Sequence, residues 1–246
     1  MFGLFKKKTS GFTEDYFPIQ ADMHSHILPG IDDGSQDIAS SILLVKGMLN
    51  LGVTKAIATP HIIGDMYRNN PDTIGHALSQ LKQALQDESI TFDVSAAAEY
   101  MLDSYFFELL SSKVPLLTVK DSLILTEFSY SSIPSNPEQM AFTILTEGYT
   151  PILAHPERYA YYHGNLKQYD HLKDLGFVLQ VNLLSLTGYY GKETAKAAKY
   201  IIKSGLASFA GTDMHHERHL AALTDRRSRK LFAEVFEDSM LLNNGL

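Results

Sequence analysis

Cysteine is absent from the 246 residues, which excludes a disulfide framework, a thiolate zinc site and any cysteine nucleophile. Phosphatases and proteases that act through a thiolate are ruled out with it. No apolar run reaches the roughly 18 residues needed to span a bilayer. The opening MFGLFKKKTSG has basic residues but none of the apolar core of a secretory signal behind them. Positive charge is scarce too: 21 Lys and Arg face 28 Asp and Glu, a net charge of -7. General nucleic-acid binding needs clustered cations along a phosphate backbone, so this balance argues against it. A single substrate phosphate can still be met by local cations. Repeats, low-complexity tracts and linkers are missing as well, so residues 20–246 read as one domain behind a tail of residues 1–19.

What is present fits a globular chain with a sizeable core, 45% hydrophobic and 20% charged. The N-terminal tail has two readings. One is a solvated segment ahead of the first strand. The other is weak peripheral membrane contact, with Phe2, Leu4 and Phe5 at the headgroups and Lys6, Lys7 and Lys8 on anionic lipid.

Short β-branched runs alternate with segments of helical period, the pattern of βα units and a parallel sheet. Strands are expected at 20–24, 54–59, 91–98, 122–127, 150–154, 177–182 and 206–212. Helices are expected near 36–51, 71–87, 136–147, 165–175, 192–204 and 226–242, with a short one in DSYFFELL. The polar residues carry more information. His24 and His26 close the first strand, and His61, Glu99, Glu127, His155 and Asn182 end or follow the next five. Asp213 and His215 follow the last. In a closed β/α barrel all these carboxyl ends form one rim, where active sites of that class are built.

His24 and His26 lie one residue apart on a strand, so both imidazoles face one side. TDMHH repeats that spacing with Asp213 and His215. Glu99 and Glu127 each follow an apolar run, where a carboxylate is costly unless paired or bound to a cation. His155 taken alone reads as a satisfied core histidine. Together these residues read as a metal site of imidazole and carboxylate ligands, a donor set compatible with zinc, manganese or iron.

The series DMHSH…DDG, TPH, AAEY, LTEFS, LAHPERY, QVN and GTDMH resembles the polymerase and histidinol phosphatase (PHP) superfamily. Within it the chain is similar to the metal-dependent bacterial protein-tyrosine phosphatases of capsule and exopolysaccharide clusters. The resemblance runs from about Asp22 to about His216. It implies an α/β fold, a distorted (β/α)7 TIM-like barrel, with three divalent ions, manganese first and iron or zinc as alternatives. His24, His26, Glu99 and Asp213 would hold one ion, and Asp33, His61 and His215 a second. Glu99, Glu127 and His155 would hold the third. Asp33 is preferred to Asp32 because it directly precedes Gly34. Asp22 would orient a histidine, and Asp32 has no assigned part.

The implied reaction is hydrolysis of phosphotyrosine by a metal-activated hydroxide, with no covalent intermediate. Arg158 would contact phosphate in two-pronged fashion, its alternative being a surface pair with Glu157. Arg218 is a second phosphate candidate, although its spacing departs from the family pattern, and its neighbours His216 and Glu217 read as loop residues. Tyr67, Tyr100 and Tyr130 lie near the expected rim, but 13 tyrosines make chance placement sufficient. The implied substrate is a membrane-bound bacterial tyrosine autokinase, met in the cytoplasm at the inner face of the membrane. A histidinol-phosphatase-like or other small-molecule phosphomonoesterase is the alternative, and a non-catalytic scaffold a third reading.

Overall fold

The structure is a computed structural model, and it describes residues 16–236 and 240–246. The expectations for the basic N-terminal tail lie outside the described residues. The chain runs β1 (Ala21–Ser25), α1 (Ile38–Asn50), β2 (Lys55–Ala58), β3 (His61–Ile63), β4 (Tyr67–Arg68), α2 (Pro71–Asp87), β5 (Asp93–Ala96), β6 (Glu99–Met101) and α3 (Ser104–Ser111). It continues through β7 (Leu123–Glu127), α4 (Pro137–Thr146), β8 (Thr150–Ala154), α5 (Gln168–Asp174), β9 (Val178–Asn182), α6 (Lys192–Lys203), β10 (Ala207–Gly211), α7 (Glu217–Thr224) and α8 (Arg226–Phe236).

The expected α/β class with a parallel sheet holds, but the strand count differs. β1, β2 and β5 form a three-stranded parallel sheet, and the other seven strands pair in the order β10-β9-β8-β7-β6-β3-β4. Within the second sheet every pairing is parallel except the short β3–β4 hairpin. Two of the additional strands extend expected ones past their predicted ends after a break, β3 beyond 54–59 and β6 beyond 91–98. Pro60 separates β2 from β3 because it has no N–H for the ladder, and the Ala97–Ala98 step separates β5 from β6. Pairing carries across both gaps, with Ala97 N–H donating to Ala58 O at 2.8 Å and Glu99 N–H to Pro60 O at 3.0 Å. At the other side, Asp213 N–H donates to His24 O and His26 N–H to Met214 O, both at 2.8 Å.

The helices begin where side chains satisfy the free N–H groups of the first turn. Asp37 caps α1, Asn70 caps α2 in a reciprocal capping box with Thr73, and Asp103 and Asn136 cap α3 and α4. α2 shows the resulting amphipathy: Ile74, Ala77, Leu81 and Leu85 are buried along one stripe. The periodicity predicts one last helix over 226–242. It is found as α8 from Arg226, and a further helix, α7, precedes it, the two separated by Asp225 in extended conformation. His216 caps α7, its ring accepting from His219 N–H at 3.3 Å. His216 and Glu217 therefore open a helix rather than a loop.

The core has two parts. Most buried side chains pack between strands and helices. A smaller cluster joins Met23, Ile57, Ala97, Leu125, Ile152 and Phe209, contributed by strands of both sheets and the step after β5. The polar ends of these strands gather above that cluster.

Candidate metal centre

The site starts at the end of β1. His24 Nδ1–H donates to Gln180 Oε1 on β9 at 2.9 Å, and His26 Nδ1–H donates to Asp32 Oδ2 at 2.8 Å. These partners fix each ring proton on Nδ1, so both Nε2 lone pairs are left free. The two Nε2 atoms lie 3.3 Å apart. Glu99 Oε2 stands 3.2 and 3.3 Å from them, and Asp213 Oδ1 3.3 and 3.5 Å. With both rings neutral, as coordination to a cation requires, four acceptors converge on one point.

His61 extends the cluster. Its Nδ1 lies 3.2 Å from Glu99 Oε2 and 3.1 Å from Glu127 Oε1, while its Nε2 is 3.5 Å from Asp33 Oδ1. His215 Nδ1–H donates to the Asp213 carbonyl at 2.9 Å, which turns its Nε2 toward Asp33 Oδ1 at 3.6 Å. His155 Nε2 reaches Glu99 Oε1 at 3.0 Å. The side chains fall into four overlapping groups of ligand-type atoms: His26, Asp33, His61 and His215; His24, His26 and Asp213; His24, Glu99 and His155; His61, Glu99 and Glu127. All nine residues expected at a metal site are brought together. Their grouping differs from the expected three sets: Glu127 sits with His61 and His155 with His24, each beside Glu99, and His26 also joins Asp33, His61 and His215.

A cation fits this arrangement. His61 Nδ1 and Glu99 Oε2 are buried and have no hydrogen-bond partner, a costly condition that coordination relieves. Asp32, Asp33, Glu99, Glu127 and Asp213 gather among the histidines of the cluster, and of these Asp213 alone is ion-paired to a guanidinium, that of Arg158, an excess of negative charge that divalent ions neutralise. The titrations follow the same balance. Burial works against the charged forms, yet His24 and His61 hold Glu99 well below the usual carboxylate range, and His24 and His215 do the same for Asp213. Burial also opposes a charged His24, but Glu99 and Asp213 outweigh it and lift the ring to about 9. Glu127 is pushed up to about 7 by burial and by the charge of Glu99. Burial takes His155 down to about 4.

Backbone strain serves the site at two of its corners. His155 and Asp213 both adopt left-handed conformations, with φ of 35° and 51°. Such angles are uncommon for residues with a Cβ. They follow directly after β8 and one residue after β10, where the chain must turn sharply to bring a side chain back over the strand ends.

Residues 20–240 match the family described as capsular polysaccharide synthesis, CpsB/CapC. The chain belongs to that family. Among curated relatives, the tyrosine-protein phosphatase YwqE of Bacillus subtilis is 32% identical over 196 residues, covering 79% of this chain and 77% of YwqE. The tyrosine-protein phosphatase CpsB of Streptococcus pneumoniae is 28% identical over 203 residues, covering 79% and 82%. A solved structure from work on YwqE of B. subtilis and CpsB of S. pneumoniae, described there as metal-dependent tyrosine phosphatases, superposes with a TM-score of 0.75. It is 29% identical and covers 91% of this chain and 94% of that one.

In this CpsB/CapC chain the cluster opens into a cavity of about 260 Å³ lined by Asp33, His61, Glu127, His155, Asp213 and His215, together with Arg158, Tyr130, Tyr190, His216 and His219. Arg158 Nη1 donates to Asp213 Oδ2 at 2.6 Å. Its guanidinium lies 4.2 Å from the Tyr190 ring centre and 5.1 Å from that of Tyr130. Glu157 is not its partner: that carboxylate is buried and accepts Asn182 N–H at 2.9 Å. Arg218 is exposed on the first turn of α7 and does not line the cavity.

Several residues here are not marked by the sequence pattern. Asp32 orients His26, accepts His61 N–H at 3.2 Å and accepts Gly34 N–H at 2.9 Å. Asp22 orients no imidazole; it accepts Thr212 N–H at 3.0 Å and Thr212 Oγ1–H at 2.5 Å, tying β1 to the end of β10. The orienting partner of His24 is Gln180, whose only signal is an amide within the apolar run FVLQVN. Tyr190 and His219 carry none. Tyr190 Oη lies 3.4 Å from His219 Nε2, and His219 Nδ1 3.1 Å from the Asp213 carbonyl, so the two brace Arg158 and Asp213 from behind. Tyr130 Oη reaches His155 Nδ1 at 3.1 Å. Its ring lies 5.7 Å from that of His155 and 5.1 Å from the Arg158 guanidinium, and it stays 44% exposed.

Proposed function

We propose that this chain is a metal-dependent protein-tyrosine phosphatase, in which His24, His26, Asp33, His61, Glu99, Glu127, His155, Asp213 and His215 hold three divalent ions, manganese foremost. One observation carries the reading: ligand-type atoms of imidazoles and carboxylates converge in overlapping groups, beside a partly exposed guanidinium that faces the same cavity. Bound ions would supply Lewis acidity toward phosphate oxygens and a water nucleophile active near neutral pH. The chain's own part is positioning. Arg158 keeps one edge on Asp213 and can offer its remaining N–H groups to two phosphate oxygens. Tyr130 and Tyr190 hold the guanidinium between them, so a planar contact is ready before substrate arrives. No residue needs to form a covalent link to phosphorus, in keeping with the lack of cysteine.

The fold reading beneath this is a distorted (β/α)7 barrel of residues 20–246. It is supported by the bonds that join β1 to the segment after β10 and carry β2 and β5 on into β3 and β6, and by the small cluster shared among strands of both sheets. The substrate reading is phosphotyrosine on a membrane-bound tyrosine kinase of capsule synthesis, supported by the family's description and its relatives' names. The test is hydrolysis of phosphotyrosine peptide, phosphoserine peptide and histidinol phosphate by protein loaded in turn with manganese, iron and zinc. Turnover of the phosphotyrosine peptide that a chelator abolishes is expected. Turnover confined to histidinol phosphate refutes the reading.

A further inference from the structure

A second depression of about 490 Å³ adjoins the metal cavity, lined by Tyr189, Ala221, Ala222, Asp225, Arg227 and Leu231 among others. The two share a wall. Tyr189 and Tyr190 are in ring contact at 5.0 Å, the first facing the groove and the second the cavity. α7 divides them in the same way, with His219 on the cavity side and Ala221 and Ala222 on the groove side. A chain leaving the cavity over this wall enters the groove directly.

The floor of the groove is set by α8, which begins RRSRK. Four cations in five positions stand out in a chain of net charge -7. They also occupy the N-terminal turns of a helix, where the backbone dipole disfavours positive charge, so helix stability does not account for them. Arg227 and Lys230 are exposed, and neither has a carboxylate partner among the described residues. The groove is mixed in character: apolar Ala221, Ala222 and Leu231 and the half-exposed Tyr189 ring line it with Arg227 and with Asp225, whose carboxylate accepts the Arg227 backbone N–H, while the exposed Lys230 lies outside the lining, one helical turn from Arg227. That combination suits a polypeptide better than a flat lipid surface.

We propose that this groove is a docking surface for an acidic segment flanking the substrate's phosphotyrosine, with Arg227 in its lining and Lys230 at its edge on α8 as the residues that select for it. The inference rests on the phosphatase reading for the identity of the substrate. Charge complementarity across such a contact raises encounter rate and discriminates partners, and it weakens with salt.

The test uses the full chain loaded with manganese, the double variant Arg227→Glu/Lys230→Glu and the milder Arg227→Gln/Lys230→Gln. Three substrates are compared: a phosphotyrosine peptide with acidic flanks, the same peptide with neutral flanks, and a small aryl phosphate. The unmodified protein is expected to favour the acidic peptide by about tenfold in kcat/KM at low salt. The charge-reversed variant loses that preference through KM, the glutamine variant loses part of it, and both hydrolyse the aryl phosphate unchanged. Fluorescence anisotropy of a labelled, unphosphorylated acidic peptide reads the groove without catalysis and should show the same order. Equal rates on both peptides with aryl phosphate hydrolysis intact overturn the docking surface alone. Absence of phosphotyrosine hydrolysis with every metal overturns the phosphatase reading instead, and anisotropy then decides the groove. Binding of the basic run to phosphatidylglycerol vesicles, without peptide discrimination, assigns the patch to lipid and refutes the proposal.

Discussion

Asp32→Asn is the most informative single change, because Asp32 and Asp33 are neighbours with separable expected effects. The Asp32 carboxylate accepts on both oxygens: Gly34 N–H on Oδ1, and His26 Nδ1–H together with His61 N–H on Oδ2. An asparagine is nearly isosteric but has one acceptor edge, so either orientation sets a donor against a donor. If the amide NH2 faces His26, the imidazole proton must move to Nε2, the atom that faces Glu99 and Asp213. If it faces Gly34, one buried N–H is left unpaired. Losing such an orienting partner weakens metal binding about 10- to 100-fold, or about 1.4–2.7 kcal/mol at the standard conversion. The unpaired donor costs the metal-free fold a further ~1–3 kcal/mol. Manganese retention after dialysis against graded chelator, with thermal melting of the metal-free protein, measures both. Asp33→Asn should behave otherwise, since the Asp33 side chain is 54% exposed: metal retention and activity fall while the metal-free melt barely moves. Equal metal retention by Asp32→Asn and the parent protein would refute the orienting role.

Other changes test the neighbouring contacts. Gly34→Ala sets a Cβ 2.1 Å from the His26 carbonyl oxygen, an overlap with backbone that must displace His26; metal content by elemental analysis should drop even if circular dichroism shows a folded chain. Gln180→Leu removes the acceptor of His24 Nδ1–H and should weaken metal binding about tenfold or more, whereas Gln180→Glu should keep it. Arg158→Lys abandons the planar contact and both aromatic faces, so KM for phosphopeptide and the inhibition constant of inorganic phosphate should rise together about tenfold or more. Unchanged phosphate inhibition would sink that assignment. Tyr190→Leu should raise the same two constants with metal content intact, while Tyr190→Phe, which keeps the ring under Arg158, should change them less.

The cluster is legible in the sequence because its members stand at the ends of apolar strands, where an imidazole or carboxylate is costly to bury unless something binds it. His24 and Asp213 illustrate this: each follows a buried run, and the fold needs only to bring the strand ends together. The supporting residues are hidden for physical reasons. Asp32 and Asp33 are chemically identical neighbours, and only the three-dimensional path of the loop turns one inward and leaves the other half exposed. Tyr190 and His219 act through contacts between segments distant in sequence, which no local pattern encodes. α7 is hidden because its cap is histidine, outside the usual Ser, Thr, Asp and Asn. β3 and β6 are hidden because each is only three residues long and follows a break, at Thr59–Pro60 and at Ala97–Ala98, where the local strand signal stops while pairing carries on.

The bonds between β1 and the end of β10 bear on how the molecule assembles. Asp22 and Thr212 are 190 positions apart, and the ligand-type cluster takes His24, His26 and Asp33 from one end of that span and Asp213 and His215 from the other, with His61, Glu99, Glu127 and His155 between. Contacts of such long range close late, because the entropy of ordering the intervening chain opposes them until the rest has folded. Pairs such as β7 with β8 and β8 with β9 are local and can form early during synthesis. A chain still lacking β10 offers a metal only part of the cluster. Tight ion capture would therefore report completion of folding, and a bound ion would oppose the parting of β1 from the segment after β10.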